Sequence, residues 1–381
     1  MKSEYVGYTM RQAVPEDNDV LLDMVKSAPM PGRFRIYLER SPDFFTVPGL
    51  LDGETSVDIA EHPEHGVTGV QTTSLCDRFY KGQPVRIMHW GDLRVKGSRQ
   101  GAKASHALSF LGKDRILESG ADMAMMEMLE GNEKIRKIAV YLQSETEPAN
   151  DIVSAGFYEV FQIVPMRQLR GPARGSTIRR ARPEDLPPIS ALLNEFYKDY
   201  FAKPDFSVDW LQRLFKLDAG FGVQDIWLLE RGDRLVACGG LWDQSGFRRT
   251  IVEEAPASRK ALRYLYPLVR TPMGIPQIPQ EDGAPILQMR ACLLACVRGQ
   301  ERHLRDLLRE QVRWTRLNTD SHFVQVAFHE REPAKRLLQG MITLKSRSEI
   351  FFYLPRSRKV QRPWTNEELA GTTPWTDFAL C

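Results

Sequence analysis

The sequence has no apolar run that approaches the roughly 20 residues needed to cross a bilayer. Residues 1–10 are polar and show no apolar segment of the kind that directs secretion. We therefore expect no membrane partner and a cytoplasmic location.

Cysteine is also scarce. The five cysteines are an odd number and lie mostly in apolar, strand-like runs, so we expect no disulfide framework. Cys292 and Cys296 stand in C-L-L-A-C with no histidine or second cysteine pair nearby, which favours a buried strand over a metal site. No metal is expected.

Neither sign of charge dominates the chain. The net charge of +3 argues neither for nor against a nucleic-acid partner, and we expect none. An apolar content of 42% and a charged content of 27% are ordinary for a soluble globular protein. At 381 residues the chain is too long for one compact core and suits two units of about 150 to 200 residues.

What the sequence does contain is an internal repeat. The segment T-M-R-Q-A-V-P-E-D at residues 9–17 returns as T-I-R-R-A-R-P-E-D at residues 177–185, with six of nine positions identical. Each copy predicts a strand, a turn and an N-capped helix. A repeat predicts two similar domains. We place them at residues 1–170 and 171–355, divided near the Gly-, Pro- and Arg-rich segment 169–175, with a polar tail at 356–381.

The first domain continues with three strands, at residues 55–61, 67–77 and 85–95, whose turns predict an antiparallel meander. A helix at 101–118, a strand at 123–129, a helix through 135–139 and a strand at 157–166 follow. The second domain repeats this order less faithfully: a hairpin at 226–230 and 235–242, a central strand at 285–297, a helix at 302–316, a strand at 323–328, a helix at 332–338 and a last strand at 349–354. A doubly wound sheet or a sandwich would not show a meander followed by one central helix.

The R-x-A-x-P-E-D start and this order of elements resemble the GNAT family of acyl-CoA-dependent N-acyltransferases. The resemblance implies an α/β (α+β) protein of two tandem GNAT-like domains, each a mixed, mostly antiparallel sheet with flanking helices. It also implies transfer of an acetyl or other short acyl group from acetyl-CoA, as cosubstrate, to a primary amine of a small molecule or peptide in a ternary complex.

A CoA diphosphate needs backbone N–H donors at a helix N-terminus and little side-chain bulk. The family supplies them with a Q/R-x-x-G-x-G/A turn after an apolar-x-Val strand end. Here the turn follows Leu93-Arg94-Val95, and neither register is clean: starting at Gln100 puts Lys103 where glycine is usual, whereas starting at Arg99 puts alanine at both later positions. The expected CoA contacts are Leu93, Val95, Gln100, Gly101, Ala102, Lys103, Ala104, Ser105 and Asn132.

The matching turn of the second domain is less suited to phosphate. Glu301 would place a negative charge at the mouth of the anion site, and Arg302 and His303 replace small residues. We interpret the second domain as a degenerate copy and the first as the working one.

Acyl transfer to an amine needs a base for the ammonium and an acid for the leaving thiolate. In the family, a tyrosine seven residues beyond an asparagine often serves as the acid. Seven residues beyond Asn132 is alanine, and Tyr141 comes two positions late, where packing is the alternative. The candidate bases are His89 and Asp92 on the central strand, beside a bulge predicted at Gly91, and Glu127 on the next strand.

In GNAT-like folds the segment after the first helix covers the acyl end of CoA. Here that segment, residues 30–49, carries arginines suited to an anionic acceptor group and aromatics suited to a flat one. The candidate acceptor-binding residues are Arg33, Arg35, Tyr37, Phe44 and Phe45. The alternative is that these aromatics only pack the loop onto the sheet.

A second class of function stays open. The absent tyrosine and the position of Lys103 favour a non-catalytic GNAT-like binding protein, or a CoA-independent aminoacyl-transfer protein with paired GNAT-like domains. The small-residue turn and the regular first domain favour the acyltransferase. A homodimer is neither indicated nor excluded.

Overall fold

A computed structural model describes residues 7–30, 35–132, 137, 151–166, 171, 175–217, 219–254, 274–279, 281–332, 334–354, 364–377 and 379–380. The predicted residues Arg33 and Tyr141 and most of the helix expected at 135–139 lie outside these ranges. The strands are β1 (Thr9–Gln12), β2 (Arg35–Glu39), β3 (Glu54–His62), β4 (Gly66–Tyr80), β5 (Gln83–Val95), β6 (Met123–Leu129), β7 (Asp151–Ile163), β8 (Ser176–Arg180), β9 (Ile226–Arg231), β10 (Arg234–Asp243), β11 (Arg249–Glu254), β12 (Pro285–Ile286), β13 (Gln288–Cys296), β14 (Phe323–His329) and β15 (Thr343–Leu354). The helices are α1 (Asn18–Ser27), α2 (Thr46–Gly49), α3 (Arg99–Ser119), α4 (Leu186–Phe196), α5 (Val208–Phe215), α6 (Glu301–Asn318), α7 (Ala334–Leu337) and α8 (Asn366–Ala370).

The repeated motif closes a strand-to-helix turn in the same way in both halves. Arg11 forms two hydrogen bonds to Asp17, at 2.7 and 2.8 Å, and Arg179 does the same to Asp185. Each aspartate also accepts the backbone N–H three residues earlier, at 2.9 Å from Val14 and at 2.8 Å in the second copy. The motif's arginine and final aspartate therefore recur because together they fix where the first helix begins.

Twelve strands form one continuous sheet in the order β1-β3-β4-β5-β6-β15-β7-β14-β13-β10-β9-β8. All neighbours are antiparallel except β5–β6 and β13–β14. The predicted meander is present as β3, β4 and β5, and the predicted fold class is confirmed. The halves exchange their last strands: β15 lies between β6 and β7, and β7 pairs with β14.

Each parallel pair opens after a short contact. Strand β5 pairs with β6 only at residues 87–89 against 123–125, and β13 pairs with β14 only at residues 288–290 against 323–325. Three residues beyond each contact the opening strand carries a bulge with a left-handed residue, Asp92 at φ 54° and Leu293 at φ 50°. We call the two openings the first splay (β5/β6) and the second splay (β13/β14). Their shared geometry makes His89 the structural counterpart of Arg290, and Glu127 the counterpart of Ala327.

Two further elements connect the halves. Strand β2 of the first half pairs with β11, which lies in the 247–283 insertion of the second half. The C-terminal segment, residues 364–380, packs Trp375 and Leu380 in one hydrophobic cluster with Leu50 of the first half and Trp210 of the second. Among the described residues, no helix is both long and apolar enough to cross a membrane.

Candidate functional site

The turn predicted to hold CoA is the start of α3. The Ser98 hydroxyl caps the helix by accepting the Gly101 N–H at 3.0 Å. A Cβ on Gly101 would lie 1.9 Å from the Lys96 carbonyl oxygen, so only glycine allows this close approach. Ala104 is fully buried, whereas Lys103 is exposed. The residue that breaks the family motif therefore extends into solvent at a helix N-terminus, where its charge favours an anion.

Gln100, Ala102 and Ser105 lie in the first two turns of α3, whereas Leu93, Val95 and Asn132 lie near the ends of β5 and β6. Leu93 lies within the bulge, and it packs with Val95 against the cluster that contains Leu108. Asn132 follows β6 in a tight turn and donates its backbone N–H to Leu129 at 3.0 Å. Leu93 and Val95 therefore lie on β5 between the splay and the N-terminus of α3.

His89 lies where the first splay begins and is partly exposed. Burial, with a further contribution from Arg78, lowers its pKa to about 3, although Asp52 acts in the opposite direction. The imidazole is therefore neutral near pH 7. A group that binds a proton only near pH 3 is a weak base at neutral pH, so His89 is better suited to hydrogen bonding than to proton abstraction.

Asp92 lies at the bulge of β5, three residues beyond His89, and is held as an anion. Arg40 donates to it at 2.6 Å, and Arg94 lies 3.9 Å away. Burial alone would raise the pKa of Asp92, but the two arginines outweigh it and hold the pKa below the ordinary value. Asp92 is thus a fixed counter-charge rather than a base.

Glu127 differs from His89 and Asp92 in both its contacts and its pKa. It stands opposite Ile350 of β15, and its carboxylate has no hydrogen bond or ion pair to any described residue. Part of the side chain is exposed to solvent, yet desolvation by the surrounding protein raises the pKa of its carboxyl to about 7, although the charge of Arg248 acts in the opposite direction. A reachable carboxylate that titrates near neutrality is the property required of a general base.

The predicted acceptor segment packs largely inward. Phe44 is fully buried and Tyr37 is nearly so, both in the cluster beneath α1, and Phe45 lies edge-on to Phe44 at 5.8 Å. Arg35 is exposed and pairs with Glu253 at 2.9 Å.

The sequence did not single out Arg40 or Arg248, because nothing in the local pattern separates these two arginines from the other arginines of the chain.

The second splay is closed by the C-terminal segment. Asp377 Oδ2 accepts the N–H of the bulge residue Leu293 at 2.8 Å, and the Tyr197 hydroxyl donates to the Leu294 carbonyl at 2.6 Å. Burial raises the pKa of Asp377 to about 6, although hydrogen bonds from two backbone N–H groups act in the opposite direction. At the adjoining helix start, Glu301 Oε1 accepts the Gly299 N–H at 3.2 Å. Carboxylates thus occupy both the bulge N–H and the helix start of the second half.

Solved structures share this architecture. Saccharomyces cerevisiae N-myristoyltransferase with bound myristoyl-CoA matches with a TM-score of 0.62 and 7% identity, over 97% of this chain and 90% of that one. A GCN5-related N-acetyltransferase from Sphaerobacter thermophilus matches with a TM-score of 0.55 and 13% identity, over 91% and 95%. The GCN5-related glucosamine N-acetyltransferase region of a fungal multi-domain GH3 β-N-acetylglucosaminidase matches with a TM-score of 0.59 and 11% identity. That match covers 91% of this chain but 38% of the fungal one, so this chain spans well under half of that protein's length.

No protein-family model matches the sequence, and neither does any curated protein. At 7 to 13% identity the structural matches concern the fold. The chain has a tandem GNAT-like fold, as the sequence predicted.

Proposed function

We propose that this protein is an acyl-CoA-dependent N-acyltransferase whose first half carries the active site. The observation that carries the proposal is the difference between two equivalent openings. The first splay combines a capped, uncrowded helix start with Glu127, whose pKa is about 7. The second splay has alanine at the position of Glu127, and Asp377 occupies its bulge N–H. The two openings therefore differ at the bulge and at the position of Glu127. A cavity of about 40 Å³ remains beside the second splay and is lined in part by Glu332, whose pKa burial raises to about 7, but the helix start on that side is crowded by Glu301.

The reaction follows from these positions. Acyl-CoA lies along β5, with its diphosphate at the N-terminus of α3 and its thioester beside the bulge at Asp92. Glu127 removes a proton from the acceptor ammonium, directly or through one water. The amine nitrogen then attacks the thioester carbon, and the nitrogen of the tetrahedral intermediate gives up one proton to solvent as the carbon–sulfur bond breaks. The leaving thiolate is protonated from solvent or from a residue outside the described ranges, where Tyr141 lies. The donor is acetyl or another short acyl group, and the acceptor is a primary amine of a small molecule or peptide.

Two variants with the same change of charge test the CoA site. Lys103→Glu and Arg302→Glu each alter an exposed residue near the start of one of the two equivalent helices, α3 and α6. We expect acetyl-CoA to raise the Tm of the wild-type chain and of Arg302→Glu, because a ligand that binds only the native state stabilises it. Lys103→Glu should lose most of the shift, because it places a negative charge beside the phosphates.

The opposite pattern, with the shift lost in Arg302→Glu and kept in Lys103→Glu, would move the site to the second half. No shift in the wild-type chain would leave the non-catalytic alternative as the better interpretation.

A further inference from the structure

A cavity of about 320 Å³ lies between the two halves, below the first splay. Its walls come from residues 49–53, from α5 and from the C-terminal segment. They are mainly apolar, with Leu50, Leu214, Trp210 and Trp375 all buried. Trp210 and Trp375 stand nearly perpendicular, with ring centroids 6.5 Å apart. Such a cavity suits a compact ligand with a flat or branched apolar body.

One wall is fixed by a closed polar network. Arg78 donates to both carboxylate oxygens of Asp52, and the Trp210 indole N–H donates to Asp52 Oδ2 at 2.5 Å. These hydrogen bonds hold Asp52 in place, so this wall is preorganised.

His89 lines the same cavity but, unlike Asp52, Arg78 and Trp210, it is not held by hydrogen bonds within the described part of the chain. It is partly exposed and has no hydrogen bond to any described residue. A neutral imidazole carries one N–H donor and one acceptor nitrogen. A hydrocarbon chain placed here would displace the water of both groups and leave them without a partner, which disfavours its binding. The occupant is therefore expected to carry polar groups as well as an apolar body.

The mouth of the cavity adds a charge. Gly49, Arg213 and Leu217 line it and are all exposed. Arg213 forms no ion pair with any described residue, so its charge is available at the rim. An anionic group at the outer end of a ligand would be favoured there.

The inner end of the cavity approaches the reaction centre. His89 pairs with Met125 in the β5–β6 register, and Glu127 lies two residues further along β6 on the same face of the sheet. The CoA turn, at the start of α3, lies beyond the far end of β5, ten residues after His89. Glu127 does not itself line the cavity, so a ligand would have to extend past His89 to approach it. Such a ligand would come from the side opposite to CoA, as the second substrate of a ternary complex must.

We propose that this cavity is the acceptor subsite, and that it takes a small, elongated amine with an aromatic or branched apolar middle and a carboxylate at the end remote from the amine. The assignment rests on the proposed acyl transfer for its role, but it predicts binding that is measurable without turnover. The amine lies beyond His89 towards Glu127, the apolar body lies between the tryptophans and leucines, and the carboxylate lies at Arg213.

The test uses the full chain and two probes, 4-(aminomethyl)benzoate and benzylamine, with dissociation constants measured by ligand-observed NMR titration. The wild-type chain should bind the carboxylate probe about two- to fivefold more tightly, as expected for an exposed ion pair. Arg213→Gln should remove that difference and leave benzylamine unchanged.

Gly49→Phe tests the place of binding. A Cβ on Gly49 would meet no atom within 4 Å, so the ring can enter the mouth without forcing the backbone apart. We expect it to weaken both probes at least tenfold, whereas the matched control Gly49→Ala binds like the wild-type chain. The Tm shift with acetyl-CoA should be the same in all of these variants.

Unchanged probe binding in Gly49→Phe, or no binding of either amine to the wild-type chain, overturns the proposal. So does a loss of octanoyl-CoA binding relative to acetyl-CoA in Gly49→Phe with no effect on the amines, because the cavity would then hold the acyl chain. Amine binding that depends on Gly49, in a chain that shows neither a CoA shift nor transfer, would keep the subsite and refute the acyltransferase instead.

Discussion

Glu127→Gln should change how the stability of the protein depends on pH. The folded chain holds the pKa of Glu127 at about 7, against an ordinary 4.5 in an unfolded chain. Between these two pH values the folded state binds more protons than the unfolded state. The contribution of Glu127 to the free energy of unfolding is therefore full below pH 4.5 and is lost as pH rises through 7. Glutamine has the same shape and no proton to lose.

The difference between a pKa of 4.5 and one of about 7 limits the change in the free energy of unfolding to about 3.4 kcal/mol. Because the side chain is reachable by solvent, screening reduces this limit, and we take about 1–2 kcal/mol as the working value. The free energy of unfolding of Glu127→Gln, measured by urea denaturation, should therefore rise by that amount relative to the wild-type chain between pH 5 and pH 8.

The control is Glu64→Gln in the exposed β3–β4 turn, which accounts for the removal of one negative charge. A difference between Glu127→Gln and the wild-type chain that stays constant from pH 5 to pH 8 would refute the reasoning. Glu127 would then be an ordinary carboxylate, and its assignment as the base would lose its physical support. With an active acceptor in hand, kcat/KM should rise about tenfold per pH unit below 7 and level off above it.

Three further outcomes follow from single contacts. Arg179→Ala removes the two hydrogen bonds that close the second copy of the repeat and should lower the free energy of unfolding by about 1 kcal/mol in urea, because the pair is only partly buried. Asp377→Ala leaves the Leu293 N–H without its acceptor and should cost about 1–3 kcal/mol, while calorimetry still finds one CoA site per chain; a second site of similar affinity would contradict the closure of the second splay. Gly101→Ala forces a Cβ against the Lys96 carbonyl and should abolish the CoA-dependent Tm shift or the fold itself, and normal behaviour in both assays would show that the turn is not tight.

The sequence predicted elements whose signals are local. The meander follows from alternation and turn residues, and the two copies of the first strand and helix follow from the repeat. The sequence analysis missed strands β2 and β11. Each pairs mainly with a strand of the other half, and no turn motif next to either of them indicates a strand. Strand β7 was predicted to begin at residue 157, but it begins at Asp151, where it pairs with Leu354 of the chain's last strand. Pairing across about 200 residues leaves no trace in a local pattern.

The candidate site shows the same difference between what local sequence signals predict and what depends on residues distant in sequence. The candidates His89, Asp92 and Glu127 could be named because strand residues near a predicted bulge are few. Their roles could not be separated, because each depends on partners that are distant in sequence: Arg78 for the imidazole, Arg40 for Asp92 and the open splay for Glu127. The sequence therefore gave a short list of candidates, and only the fold indicates which of them can accept a proton near pH 7.

Strand exchange gives the second half a part in the site even though its own splay is closed. Strand β6, which carries Glu127, has β5 on one side only as far as His89, so beyond that point its other edge must be held by a different strand. That strand is β15, which pairs with β6 from Ser348 to Tyr353 and places Ile350 opposite Glu127. The splay can stay open towards β5 because β15 satisfies the backbone of β6 on its other side. The second half thus supplies the rigid edge against which the first half keeps its opening, and this explains why both copies belong to one sheet.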